Sequence, residues 1–256
     1  MRDYAVAIQS VGLDVEVRLN EVPIFRDLGG RRVMDENFVN DYMAQGDNVL
    51  ALVVRSPAGL PAPPPEASGV AELLAVERGT NIPDGELLLQ VSWPNEETPP
   101  PPRSFPQTAT ASGSVDAPDH RGWRDAQPLR LDDVTRGYVL RLVRELSNAL
   151  DGRRLDVVIA LLRTKVAERA RAFAGDPAVR LGDLERNYGD LMRRPDWAME
   201  RWTDQDALLE LVGRERLIRV TNADRKPLLR SVDLGGIRLA VPTDVSYVKG
   251  RWTILR

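Results

Sequence analysis

Hydrophobic periodicity changes once along this chain, and it changes across a tract that has little with which to build a core. Of the 19 prolines, eight fall between Pro94 and Pro128. That stretch holds Pro99-Pro100-Pro101-Pro102 and then the small-residue run Thr108-Ala109-Thr110-Ala111-Ser112-Gly113-Ser114. A proline run favours stiff polyproline II, and a segment so poor in apolar side chains cannot offset the entropy of its own ordering. Residues 94–130 therefore read as an interdomain linker, with residues 1–93 and 131–256 as domains with their own cores. Docking of the prolines in an aromatic groove of a partner ranks behind the spacer role.

On the N-terminal side the period is two. Val11, Leu13, Val15, Val17 and Leu19 alternate with Gly12, Asp14, Glu16 and Arg18, the pattern of a strand with one buried and one wet face. Residues 1–8 alternate likewise, and further short runs follow at Val49–Val54, Val70–Val76 and Leu87–Trp93. Turn chemistry separates them at Leu28-Gly29-Gly30, Gly46-Asp47-Asn48, Arg78-Gly79-Thr80-Asn81 and Pro83-Asp84-Gly85. Many short strands with polar turns predict a small β-sandwich or jelly roll. Leu19-Asn20-Glu21-Val22-Pro23-Ile24 and Val39-Asn40-Asp41-Tyr42-Met43-Ala44-Gln45-Gly46-Asp47-Asn48-Val49-Leu50-Ala51-Leu52 resemble the asparagine-turn and strand pair of galactose-binding-like jelly-roll domains. Some of those domains bind sugars on exposed aromatics; here Phe25, Phe38, Tyr42 and Trp93 read as core residues.

On the C-terminal side the period is 3.6. Val134, Tyr138, Leu142, Leu146 and Leu150, with Val139 and Val143 beside them, predict an amphipathic helix capped by Asp132 or Asp133 and stopped at Asp151-Gly152. Leu155, Val158, Ile159, Leu162, Val166, Ala170 and Phe173 predict a second, antiparallel to the first. Asp176-Pro177 opens a third that Pro195 ends. Six runs of about five residues follow, at 208–212, 216–220, 227–232, 237–241, 244–248 and 251–255, with connectors short enough for hairpins. Helices followed by an antiparallel meander make an α+β fold, a cystatin-like cone in which a curved sheet covers the helices.

That order, together with Gly250-Arg251-Trp252 in the last hairpin, resembles the nuclear-transport-factor-like superfamily of ketosteroid-isomerase and polyketide-cyclase type. The resemblance implies a pocket between sheet and helices, in which enzymatic members hold an acidic general base whose pKa the apolar pocket raises. Acidic candidates are Glu210, Asp233 and Asp244, and no motif singles one out. Glu210 has Leu209 and Leu211 as neighbours and can simply face outward; the two aspartates adjoin turns.

Composition removes several chemistries. The chain has no cysteine, which excludes disulfides, thiolate metal sites and thiol nucleophiles. One histidine, His120, lies in the proline-rich tract, where a rigidly placed proton-transfer group is not expected. Metal ligation and a cofactor are accordingly not expected. With 35 basic and 38 acidic residues the formal charge is -3, so nothing at whole-chain level calls for nucleic acid or an anionic membrane. The helix arginines are interspersed with acids, and no phosphate-binding or calcium loop is present. The N-terminal residues lack the apolar core of a signal peptide, and no apolar run reaches the length of a membrane span, so the expected location is cytoplasmic.

The most distinctive tract is Arg193-Arg194-Pro195-Asp196-Trp197-Ala198-Met199-Glu200-Arg201-Trp202. Its aromatics and guanidiniums are the residue types that dominate interface hot spots, so Trp197, Trp202, Arg193, Arg194 and Arg201 form the candidate binding set. The competing role for the tryptophans is to plug the open end of the cone. No catalytic residue is assigned. The expected function is a non-enzymatic two-domain binding protein, of which the immunity half of a toxin pair is one form, with a protein partner, a small apolar ligand or a second copy of the chain. The alternative is a small-molecule binder or an enzyme of isomerase, cyclase or hydratase type using the cone pocket.

Overall fold

The computed structural model describes residues 2–94, 104–117 and 126–255. The chain divides into two compact units, Met1–His120 and Arg121–Arg256.

The first unit is an antiparallel β-sandwich. Its strands are β1 (Arg2–Val11), β2 (Asp14–Leu19), β3 (Val22–Asp27), β4 (Val33–Phe38), β5 (Gly46–Arg55), β6 (Ser68–Glu77), β7 (Glu86–Trp93) and β8 (Gln107–Val115). They form two four-stranded sheets in the orders β4-β1-β6-β7 and β3-β2-β5-β8. The run from Val11 to Leu19 is therefore not one strand. Gly12, at φ +66°, turns the chain between β1 and β2, a conformation that suits glycine because it has no Cβ. Alternation fixes the registers: Val15, Val17 and Leu19 oppose Val54, Leu52 and Leu50, and all six are buried in the sandwich core.

β8 corrects the extent of the linker, because residues 107–115 pair with β5 along Gly46–Val54 and bury Ala109, Val115 and the following Ala117. The small side chains that made this run look coreless are what the site requires. A Cβ on Gly113 would lie 2.8 Å from Leu89 Cδ2, and Trp93 fills space nearby, its Nε1 donating to Gln107 Oε1 at 2.8 Å. Large residues on one strand are matched by small ones on the other. Ala126 and Leu129, also placed in the linker, are buried as well, and Leu129 N donates to Glu215 O at 2.7 Å.

Two polar features of the sandwich are structural. Asn20 and Asn48, the asparagines of the jelly-roll-like motif, are buried and bonded to each other at 2.9 Å. Asn48 also spans Ala44 and Gly46, and Asn20 accepts from Val49 N. Glu16, expected on the wet face of its strand, is fully buried and ion-paired with Arg18 and Arg26. Burial pushes its carboxyl up, but the Arg26 and Arg18 guanidiniums outweigh burial and hold it below the usual range. Of the four aromatics expected in this core, Trp93 is buried and Phe25 and Tyr42 are half-buried, whereas Phe38, on edge strand β4, is 45% exposed.

The second unit is α+β. Three helices, α1 (Asp133–Asp151), α2 (Leu155–Ala172) and α3 (Pro177–Met192), precede β9 (Leu208–Val212), β10 (Leu217–Thr221), β11 (Leu229–Arg230), β12 (Ala240–Val241), β13 (Thr243–Val248) and β14 (Arg251–Ile254). All six runs expected in the meander are present. Four of them make the antiparallel sheet β14-β13-β10-β9, and β11 and β12 form a separate short pair between β10 and β13. The helix caps follow the sequence, with Asp132 accepting from Thr135 N at 2.7 Å and Asp176 from Ala178 N at 2.8 Å ahead of Pro177. Among the described residues no helix is long and apolar enough to cross a membrane.

The buried face of α1 is Val139, Leu140, Val143, Leu146, Ala149 and Leu150. Val134 and Tyr138, expected in that stripe, are instead 68% and 43% exposed. A strict interval of four drifts by about 40° per step around a helix of 3.6 residues per turn, so the series that ends inside at Leu150 starts outside at Val134.

Candidate functional site

The fold splits the Arg193–Trp202 tract. Trp197 turns inward, 5% exposed, and its Nε1 donates at 2.9 Å to Leu150 O, one of the carbonyls that the end of α1 leaves without an intrahelical partner. Met199 N donates to Asp151 Oδ1 at 3.0 Å, while Glu200 N donates to Arg230 O and Val232 N to Ala198 O, so the segment is laced to β11. Trp197 is a core plug and leaves the binding set. Arg193 and Arg194 are neutralised by neighbours, the first by Asp190 at 2.6 Å and the second by both oxygens of Asp196 at 3.0 and 2.8 Å. Of the remaining members Trp202 is half-buried, while Arg201 is exposed and has no ion-pair partner among the described residues.

Trp202 is held on its edge and on its face. Its Nε1 donates to Ser147 Oγ at 3.1 Å, and the Arg144 guanidinium lies 4.8 Å over the ring while bonded to Asp204. Trp202, Ser147 and Arg144, with Asn148, Glu200 and Arg201, line a cleft of about 360 Å³ beside α1.

A second group of the same kind flanks the other side of the helix. Arg141 lies 4.8 Å over the ring of Tyr138, which is stacked on Trp252 at 5.9 Å with 19° between planes. Trp252 in turn meets Tyr247, its cross-strand partner in the β13–β14 hairpin, at 5.3 Å. Gly137 sits between the two groups, one turn before Arg141, exposed, and with nothing within 4 Å of where a Cβ would stand. The solvent face of α1 is thus a strip bounded by Tyr138 and Trp252 on one flank and Trp202 on the other, with Arg141 and Arg144 along it. Only Trp202 and Arg201 of this surface were singled out from the sequence as binding residues. The signal for the rest was an arginine three positions after an aromatic, Tyr138 to Arg141, on a helix whose apolar series drifts outward.

The acidic candidates for a general base are all engaged. Glu210 pairs with Arg225 at 2.8 Å, Asp233 accepts from Gly236 N at 2.6 Å within a turn, and Asp244, 2% exposed, is gripped by Arg219 at 2.9 and 2.8 Å. Burial pushes the Tyr188 phenol up to about 12, so it stays protonated near neutrality. Between helices and sheet the space is packed by Val139, Val143, Leu162, Ile218, Val245 and Ile254. His120 lies outside the described residues, and among these no group of three or more acidic or imidazole side chains is placed to hold a metal ion. Against known proteins, no family model matches the chain, and neither a curated protein nor a solved structure is similar to it.

Proposed function

We propose that this is a non-enzymatic two-domain binding protein whose second unit captures a protein partner on the solvent face of α1. The observation that carries the proposal is the pair of arginine-on-aromatic groups, Arg141 with Tyr138 and Arg144 with Trp202, on one exposed strip. Tryptophan, tyrosine and arginine supply most of the energy in protein interfaces. Rings already pinned by hydrogen bonds and stacking lose little freedom on binding, which raises affinity without added area.

Gly137 fits the same picture. A glycine inside a helix costs about 1 kcal/mol relative to alanine. Nothing in the described fold requires it, since neither a positive φ nor a close neighbour is present. A bare backbone patch between two aromatic flanks lets a partner approach closely. Arg141 and Arg201 face no carboxylate among the described residues, so the partner surface that fits is acidic with apolar anchors. A partner-neutralising protein in the cytoplasm is one form of this proposal, because it needs a surface and no proton transfer.

The test is affinity capture from a lysate of the source organism with wild type and with Arg141→Glu combined with Arg201→Glu, quantified by mass spectrometry. The expected result is a protein enriched by wild type and reduced at least tenfold by the variant at unchanged melting temperature. Equal enrichment by both would overturn the proposed surface.

A further inference from the structure

The outer face of the first sheet carries unpaired charge of the sign opposite to that of the α1 strip. Val6 and Ile8 of β1 and Ala71 and Leu73 of β6 point into the sandwich core, so alternation turns Ala7 and Glu72 to the other side. Antiparallel partners share a face. The registers therefore align Glu36 of β4, Ala7 of β1, Glu72 of β6 and Gln90 of β7 in one row across the sheet. Glu36 is exposed and Glu72 half-buried, and neither has an ion-pair partner among the described residues. At the end of the sheet, by contrast, Asp3 is paired with Arg78, and Glu77 and Glu86 with Arg2.

Apolar side chains flank the acid row on both sides. Met34 and Val70 share a row with Gln9, and Phe38 and Leu87 share one with Ala5 and Leu74. Met34, Phe38 and Leu87 are exposed. The two apolar rows are four residues apart along β4, about 13 Å at the rise of a strand. A helix with its side chains is about 10–12 Å across and fits that span. Where the acid row crosses β1, the small Ala7 leaves a hollow of about 280 Å³ lined also by Gln9, Met34 and Glu36.

The α1 strip has the inverse pattern, with positive charge between its aromatic flanks. Arg141 and Arg201 have no ion-pair partner among the described residues, and Arg136 donates to the backbone oxygens of Asp204 and Ala207. Against these stands Glu145, exposed on α1 and likewise without an ion pair among the described residues. Resting on the reading of this strip as a partner surface, we infer that its occupant is a second copy of the chain. The strip of one copy lies on the outer face of the first sheet of the other, its arginines on the row of Glu36 and Glu72 and its aromatics on the apolar rows. Bare backbone at Gly137 and the small side chain of Ala7 allow helix and sheet to approach closely. Reciprocal docking uses both surfaces of both copies and closes a dimer.

Sedimentation velocity on the full chain across micromolar concentrations tests this. Wild type forms a dimer of 28.5 kDa chains, and its dissociation constant rises with added salt because salt screens the charge pairs. Glu36→Lys combined with Glu72→Lys sediments as a monomer, and so does Arg141→Glu combined with Arg201→Glu. An equimolar mixture of these two variants regains the dimer, since each native surface meets its native complement and each reversed surface meets the other reversed one. Circular dichroism confirms that each variant is folded. A wild type that is monomeric throughout, either variant dimerising alone, or a mixture of folded variants that stays monomeric would each overturn the inference. A monomeric wild type that still captures a different protein through Arg141 and Arg201 excludes the second copy as occupant and leaves the α1 surface standing.

Discussion

Gly137 offers the most discriminating perturbation. It lies in the second turn of α1, past the cap at Asp132, where backbone dihedrals are helical and the space a methyl would enter is open for 4 Å. Gly137→Ala therefore gains helix propensity and loses unfolded-chain entropy without a steric penalty, a stabilisation of about 0.5–1 kcal/mol. For a domain of this size that corresponds to a rise in melting temperature of about 2–4 °C. Urea unfolding followed by far-ultraviolet circular dichroism measures it, with an unchanged m-value showing that the effect lies in stability alone. Gly189 is the internal control: its added Cβ would meet Leu155 Cδ2 at 3.4 Å in a buried position, so alanine there brings no comparable gain. A neutral or destabilising Gly137→Ala would refute the reasoning, because it would require a contact at that backbone which the structure does not contain. Gly137→Arg extends the test to function, since it keeps the helix gain, covers the strip and should abolish partner capture in a protein more stable than wild type.

Trp197→Ala should cost about 3–5 kcal/mol by emptying a core site, whereas Trp202→Ala should cost much less and act on partner capture; comparable losses for the two would show that Trp202 is also a plug. Glu16→Gln should destabilise the first unit at neutral pH by about 1.5–3 kcal/mol, the worth of hydrogen bonds to a charged group. Because the Glu16 carboxyl is held below its usual 4.5 in the folded chain, its contribution is complete above that pH and disappears as pH falls through the depressed folded value. Chemical denaturation of both proteins across the acid range should show the gap closing, and a constant gap would disprove the ion-pair origin. Tyr188→Phe should remove a tyrosinate transition near pH 12 from the alkaline absorbance titration; its persistence would place that transition on another phenol.

Much of the fold was legible because periodicity and caps are local. The three helices lie within a residue or two of their expected bounds, since Asp132, Gly152, Asp176 and Pro177 are start and stop signals readable without tertiary context. β8 was hidden because its informative property is the smallness of Ala109, Ala111 and Gly113, which has meaning only beside Leu89 and Trp93. Glu16 was misplaced because alternation assigns a face and says nothing of what covers it; the arginines that make its burial tolerable are Arg18 two residues on and Arg26 on the neighbouring strand. At the candidate site the tract 193–202 was recognisable by composition. Which tryptophan turned inward depended on the carbonyl of Leu150 at the end of α1, 47 positions away in sequence. The partners of Tyr138 were equally distant, because Trp252 belongs to the final hairpin.

The late arrival of β8 has a consequence for biosynthesis. The chain must be made as far as Val115 before the second sheet of the sandwich is complete, 22 residues after Trp93 ends β7. At translation speeds of about 5–20 residues per second that is a wait of about 1–4 s. Throughout it the amide and carbonyl row of β5, with Val49 and Val53 beside it, is on offer to any nascent neighbour on the same message. Crowded polysomes are therefore a setting in which the uncovered edge of β5 can mispair.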